Sequence, residues 1–231
     1  MSYSITPLFS KVFYDTRLDD ISDEKLEYIK DFVSKQEFQS SGSGDAYSAS
    51  HLHTKNTLAP LENLADSSTE LYILETKELQ FLKDRLLQEF YVFKNEVLRV
   101  EDLDFGITTS WLTRSKPEKT SHLHSHFNCA YSGIFYINVS PDSGDIYFEN
   151  MIHRTFNYDE KICEYNIYNS KAYRWTPENK MIIFFPSDVY HKLLDNNSEI
   201  VRYSLAFNIV PLGTVGSFDS QFTYRKNGKE S

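Results

Sequence analysis

The stretch Val201-Arg202-Tyr203-Ser204-Leu205-Ala206-Phe207 reads as a strand with two unlike faces. Successive side chains of a strand point to opposite sides, so Arg202 and Ser204 share one face while Tyr203 and Leu205 share the other. A guanidinium and a hydroxyl therefore stand on one face of an otherwise apolar strand. Facing inward, Arg202 needs an anionic partner, because an unpaired buried charge is costly. A guanidinium matches a carboxylate bidentately. An outward Arg202 on a sheet surface is the plainer alternative.

Outward from this strand, the chain after about Asp104 alternates short runs rich in Ile, Val, Tyr and Phe with turn residues. Strands are predicted at Gly106–Thr113, Cys129–Asn138, Gly144–Glu149, Glu164–Asn169, Lys180–Phe185 and Ile200–Val210. Turn signals separate them, such as Pro141-Asp142-Ser143-Gly144, Thr176-Pro177-Glu178-Asn179 and Asp195-Asn196-Asn197-Ser198. This spacing predicts a mainly β sandwich or barrel of jelly-roll type. The first half reads as helical. Ser22 caps a helix with Leu26, Ile29, Phe32 and Val33 on one face. A second amphipathic helix runs from about Thr76 to Val97, with Leu79, Leu82, Leu86, Phe90, Phe93 and Val97 as its stripe and Lys83, Asp84, Gln88 and Lys94 on other faces. Between the helices, residues 39–56 are rich in Ser and Gly and read as a long loop, a natural lid. The expected organisation is one domain: a helical part over 1–104 packed on one sheet, a β core over 105–212 and a polar tail over 213–231.

Composition narrows the function classes. The 231 residues carry 24 Lys+Arg against 33 Asp+Glu, a formal net charge of −9. Such a chain is a poor general binder of phosphate backbones, so no nucleic-acid partner is expected. No apolar run approaches the roughly 18 residues of a membrane-spanning helix, and residues 1–8 lack signal-peptide character, so the cytoplasm is the expected setting. The only cysteines are Cys129 and Cys163, too few for a disulfide framework or a cysteine-based zinc site.

The seven histidines are His51, His53, His122, His124, His126, His153 and His191. Three fall in Ser121-His122-Leu123-His124-Ser125-His126, where strand alternation places all three imidazoles on one face. Neutral imidazole is the commonest metal ligand, so His-x-His with a distant third histidine suits a divalent metal with open positions. An exposed polar strand end is the alternative. His191 follows the apolar run Met181-Ile182-Ile183-Phe184-Phe185, and taken alone it would read as structural. His51-Leu52-His53 has ligand spacing but lies in the loop.

Together, His-x-His, a distal His and Arg-x-Ser resemble the Fe(II)/2-oxoglutarate-dependent oxygenase superfamily. The closer similarity is to a prolyl-hydroxylase-like subgroup found in bacteria and marine phages. It rests on His124-Ser125-His126-Phe127-Asn128, Ser132-Gly133-Ile134-Phe135-Tyr136-Ile137, Pro141, Ser143-Gly144, Phe148, Phe185-Pro186-Ser187, His191 and Arg202 through Asn208. It covers about Ile107 to Val210 and extends weakly to Ile5-Thr6-Pro7-Leu8-Phe9. Glycine is scarce, at 8 in all, and Gly133 and Gly144 fall where the pattern asks for them.

The resemblance implies a double-stranded β-helix that holds iron through His124, His126 and His191. Arg202 and Ser204 would bind the far carboxylate of 2-oxoglutarate, with Tyr136 as a further donor. Trp111 and Tyr131 could line the pocket, and Arg154, beside His153, could touch substrate. The implied activity is hydroxylation of a small molecule or of a peptide or protein side chain; the pattern specifies no oligomeric state. One position departs from the superfamily rule: His126 stands where the 2-His-1-carboxylate triad has Asp or Glu, which leaves the site one negative charge short. Asp142, Asp145, Glu149 and Asp188 lie in the same region without the expected spacing. His122 and His124 could form the pair instead, although the spacing to Ser132-Gly133 favours His124 and His126. Two alternatives stand beside the oxygenase. One is a cupin-like three-histidine metalloprotein (isomerase, cosubstrate-independent dioxygenase or binder); the other is a non-catalytic scaffold.

Overall fold

The computed structural model describes residues 4–7, 10–40, 61–151 and 161–224. Residues 41–56 of the candidate lid over 39–56, His51 and His53 among them, together with His153 and Arg154, lie outside the described residues, while Gln39 and Ser40 fall in a strand. Twelve strands and two α-helices are present in the described part. They are β1 (Tyr14–Arg17), α1 (Asp23–Ser34), β2 (Phe38–Ser40), β3 (Asp66–Ser68), α2 (Gln80–Val92), β4 (Phe105–Ser115), β5 (Tyr131–Asn138), β6 (Ile146–Glu149), β7 (Ala172–Trp175), β8 (Met181–Pro186), β9 (Tyr190–Leu193), β10 (Arg202–Pro211), β11 (Gly213–Val215) and β12 (Phe222–Tyr224).

Seven strands form one antiparallel sheet in the order β1-β8-β5-β10-β4-β3-β2, and β7-β6-β9 form a smaller sheet. The helices cover one side of the larger sheet. Leu26, Ile29 and Val33 of α1 and Leu82, Leu86 and Phe90 of α2 pack with Leu112, Phe135, Ile182, Phe184, Leu205 and Phe207. On the other side, Tyr136, Ile183 and Phe185 pack against Ile146 and Phe148 of the smaller sheet. The two layers make a jelly roll open at one end. Gly133 lies against the ring of Phe207 with no room for a Cβ, and Gly144 adopts φ +93° against the Leu194 carbonyl.

The N-terminal part departs from the helical reading. Its strand β1 edges the sheet beside β8, and β2 and β3 extend it beyond β4. These are 3–4-residue strands, too short to show alternation above the neighbouring helix periods.

The Ser22 cap forms, its hydroxyl accepting from the Lys25 amide at 3.2 Å. The second helix is interrupted: a 3₁₀ turn at Lys77–Leu79 precedes α2, and a π-helical turn at Phe93–Leu98 follows it. The wider π turn shifts the helical phase, so Val97 is 47% exposed although Phe93 is buried. Lys83 and Lys94 are also buried, against the amphipathic expectation, and the Lys83 ammonium sits 2.7 Å from both carboxylate oxygens of Glu75.

Residues 164–169 are not a strand. Asn166 and Asn169 bond local amides: the Tyr168 amide donates to Asn166 at 2.9 Å and the Asn166 amide to Asn169 at 2.8 Å. Such side-chain bonds compete with a ladder, and Tyr165 and Ile167 are exposed. The strand lies later, as β7. The described part of the polar tail forms the β11–β12 hairpin.

Candidate metal and dicarboxylate site

β10 delivers the polar side of the site. Arg202, Ser204, Ala206 and Asn208 line a cavity of about 550 Å³ between the sheets, while Leu205, Phe207 and Ile209 face the helices. The inward reading of Arg202 is the one realised, with Arg202 only 4% exposed.

The histidines arrive from the opposite wall. Residues 121–126 are extended but form no regular strand. They are tied to β9 by reciprocal amide–carbonyl bonds between His124 and His191, at 3.0 and 2.8 Å, and by the Ser121 amide to the Leu193 carbonyl at 3.1 Å. The His126 amide donates to the Ser187 carbonyl at 2.8 Å. One ring nitrogen from each of His124, His126 and His191 comes within 4.8 Å of the others. His122 lines the cavity but stands outside this cluster. Among the described residues no carboxylate joins it: Asp188 pairs with Lys11 at 2.7 Å, and Asp145 accepts from the Thr176 hydroxyl at 2.7 Å.

Each imidazole is held by its Nδ1. His124 Nδ1 lies 2.8 Å from the His122 carbonyl, His191 Nδ1 2.9 Å from the Val189 carbonyl and His126 Nδ1 2.8 Å from Asn208 Oδ1. An acceptor oxygen at Nδ1 places the ring hydrogen there and leaves Nε2 as the basic nitrogen, the arrangement that metal-binding histidines use. Burial pushes the His191 pKa well below the ordinary imidazole range, and the neighbouring His124 and His126 add to the shift. Burial lowers that of His126 too, opposed by its bond to Asn208. Three clustered imidazoles anchored through Nδ1 are a donor set that suits a divalent transition metal.

Beyond the cluster, Arg202 Nη1 donates to the Ser143 and Gly144 carbonyls, at 3.3 and 2.6 Å. Gly144 brings its carbonyl there through its positive φ. Arg202 Nε is buried without a well-aligned hydrogen-bond partner among the described residues, and the buried Tyr136 hydroxyl has only the Arg202 guanidinium acting on it. The Tyr136 ring lies 5.3 Å from the guanidinium carbon. Burial raises the Tyr136 phenol above its ordinary range, and the adjacent Arg202 opposes this. A buried cation with an unused donor fits a carboxylate-bearing ligand; Tyr136 lies behind Arg202 in the core and does not itself line the cavity. Trp111 lines the cavity beside His126, ring centroids 5.5 Å apart. Tyr131 does not line it: it faces the helices and packs on Phe90, Phe93 and Phe105.

Sequence reasoning gave no role to Thr109, Ser132, Ser187 or Asn208, which bond to one another or to His126. The signal for Asn208 was the alternation of β10 itself, carried one pair beyond Ser204 and Ala206.

Fold and site define a jelly-roll protein with a three-histidine cluster facing a buried arginine. Residues 109–208 match the family model described as "Putative 2OG-Fe(II) oxygenase". This β core, which contains the cluster, Arg202 and Ser204, is similar to the 2OG-Fe(II) oxygenases, enzymes that use Fe(II) and 2-oxoglutarate.

Solved structures share the fold at low sequence identity. A prolyl hydroxylase from Trichoplax adhaerens, in complex with a hypoxia inducible factor peptide fragment, aligns with a TM-score of 0.56 and 12% identity, covering 86% of this chain and 83% of that one. HygX from Streptomyces hygroscopicus, with nickel, 2-oxoglutarate and hygromycin B bound, aligns at 0.53 and 10%, covering 86% and 82%. A 2OG-Fe(II) oxygenase family oxidoreductase from Burkholderia pseudomallei aligns at 0.53 and 7%, covering 86% and 84%. No curated protein matches the chain by sequence.

Proposed function

We propose that His124, His126 and His191 bind one Fe(II) through their Nε2 atoms, and that Arg202 and Ser204 hold the far carboxylate of 2-oxoglutarate. The pair would hydroxylate a C–H bond of a small molecule or of a peptide or protein side chain. The observation that carries this reading is one cavity with three Nδ1-anchored imidazoles on one wall and a buried arginine with a spare donor on the other. When bound, the iron and 2-oxoglutarate supply the oxidising chemistry.

The chain's own residues bind, orient and exclude water. Arg202 is pinned by the Ser143 and Gly144 carbonyls, so its free edge is fixed before the dicarboxylate arrives. Tyr136 stays protonated and backs the guanidinium from the core side. Phe185 packs edge-on to His191, centroids 4.8 Å apart, and dries that side of the cluster. Apart from the histidines, Arg202 is the only ionisable side chain among the described lining residues. Trp111, Phe127, Leu64 and Thr113 therefore offer an uncharged wall to the substrate's reacting end.

The same reading takes the chain as one domain whose N-terminal part buttresses the core sheet, acting in the cytoplasm with Cys129 and Cys163 as free thiols. Of the described residues, no helix is long and apolar enough to cross a membrane. The cosubstrate-independent alternative is not favoured, because the family match takes in both the histidines and the Arg202–Ser204 pair.

The test is conversion of 2-oxoglutarate to succinate with added Fe(II) under air. Slow turnover in the wild type, abolished in His191→Ala and Arg202→Met, is expected. No turnover with or without a substrate screen, or turnover unchanged in both variants, would overturn the assignment.

A further inference from the structure

His124 and His191 are steered by backbone carbonyls, whereas His126 is steered by side chains. His126 is also the residue that replaces the usual carboxylate. Its Nδ1 approaches Asn208 Oδ1 at 2.8 Å and Ser132 Oγ at 3.1 Å. Asn208 Nδ2 donates to Thr109 Oγ1 at 2.9 Å, with the carboxamide oxygen turned toward the imidazole. Ser132 Oγ lies 2.9 Å from Ser187 Oγ and can give its hydrogen there, leaving its lone pairs to His126. One assignment of hydrogens satisfies every member: His126 donates from Nδ1, Asn208 and Ser132 accept, and the Nε2 lone pair stays free.

The backbone builds this arrangement deliberately. Phe207 and Ile209 of β10 pair with Ser110 and Ile107 of β4, so Thr108 and Thr109 together oppose Asn208 alone. This is a β-bulge, a device that re-aims side chains beside active sites. Phe105 and Ile107 before the bulge and Leu112 after it all reach the helix-side core, while Trp111 and Thr113 line the cavity. The Thr108 hydroxyl bonds the Asn208 carbonyl at 3.3 Å and Thr109 takes its side chain.

We infer that Asn208, locked by Thr109 across the β4 bulge, is a positioning residue that sets the His126 tautomer and so makes a three-histidine metal site workable. The inference rests on the metal assignment above and names the residues that tune it. An oxygen acceptor behind a metal-bound imidazole fixes the ring and raises its basicity, and losing one typically costs about 10–100-fold in metal affinity.

The test is anaerobic Co(II) titration of the purified full chain, read by affinity and by the visible d–d spectrum. Asn208→Leu is expected to weaken Co(II) about 10–100-fold at unchanged stoichiometry. Asn208→Asp, which keeps an oxygen on Nδ1, is expected to bind at least as tightly as wild type with an altered d–d envelope. Affinity within about threefold of wild type in Asn208→Leu overturns the inference, and so does an Asn208→Asp as weak as Asn208→Leu. Should Asn208→Leu fail to fold, Thr109→Val frees the carboxamide to flip; unchanged affinity and spectrum there also overturn the inference. His124→Ala is the separate control. If it abolishes Co(II) binding while Asn208→Leu does not weaken it, the metal site stands and the positioning role falls. If His124→Ala binds as wild type, the metal assignment itself is wrong.

Discussion

The two faces of β10 do opposite work. Its helix side, with Leu205, Phe207 and Ile209, is sealed into apolar contacts with α1, α2 and the neighbouring strands. Its cavity side, with Arg202, Ser204 and Asn208, buries polar groups whose partners are incomplete or shared with the histidines. The first face stabilises the sheet; the second carries a desolvation cost that its protein partners offset only in part. The two needs are separable because strand alternation keeps them apart residue by residue. Substitutions on the two faces should therefore fail in different ways.

The largest effect is expected on the helix face. Phe207→Ala removes a fully buried ring and should cost about 3–5 kcal/mol of stability, measured by urea unfolding. A cost under about 1 kcal/mol would break the contrast between faces.

Arg202→Met is the counterpart on the cavity face. Replacing a buried charge with an apolar chain of similar length should leave unfolding stability nearly unchanged or raised. The same change should weaken 2-oxoglutarate binding by roughly 30-fold or more, measured by calorimetry with an inert divalent metal.

Acid should act on the cavity face through the imidazoles. His126 and His191 are held below the ordinary histidine range in the fold, so the unfolded chain binds more protons below about pH 6.5. The metal-free protein should therefore lose stability as pH falls through 6.5 toward the depressed folded values. His191→Gln should flatten the melting temperature's dependence on pH in chelator; an unchanged slope would remove His191 from this role. Smallest is Ser204→Ala, which deletes one neutral hydrogen bond and should weaken 2-oxoglutarate about 3–10-fold without moving the unfolding midpoint.

Much of this contrast was legible in the sequence. The Arg202–Ser204 alternation, the spacing of His124 and His126, and the Leu82, Leu86 and Phe90 stripe each follow from one short-range period. What the sequence hid depends on pairing between distant segments. β9, which carries His191, is four residues with polar alternation after a proline and shows no run of its own. The N-terminal strands owe their existence to the edges of β8 and β4. The β4 bulge changes which face a residue takes halfway along a strand, and no local pattern marks it. Asn208 bonds His126 across 82 residues, so its role is visible only when the sheets are assembled.

The most direct test of the central claim is anaerobic addition of Fe(II) and then 2-oxoglutarate to the purified chain, followed by visible absorption. A weak charge-transfer band is expected in the wild type, with one iron and one 2-oxoglutarate per chain. It should be absent in His124→Ala and reached in Arg202→Met only at much higher 2-oxoglutarate. A wild-type chain that gives no band, or a band that survives His124→Ala, would contradict the assignment of this cavity as the Fe(II) and 2-oxoglutarate site.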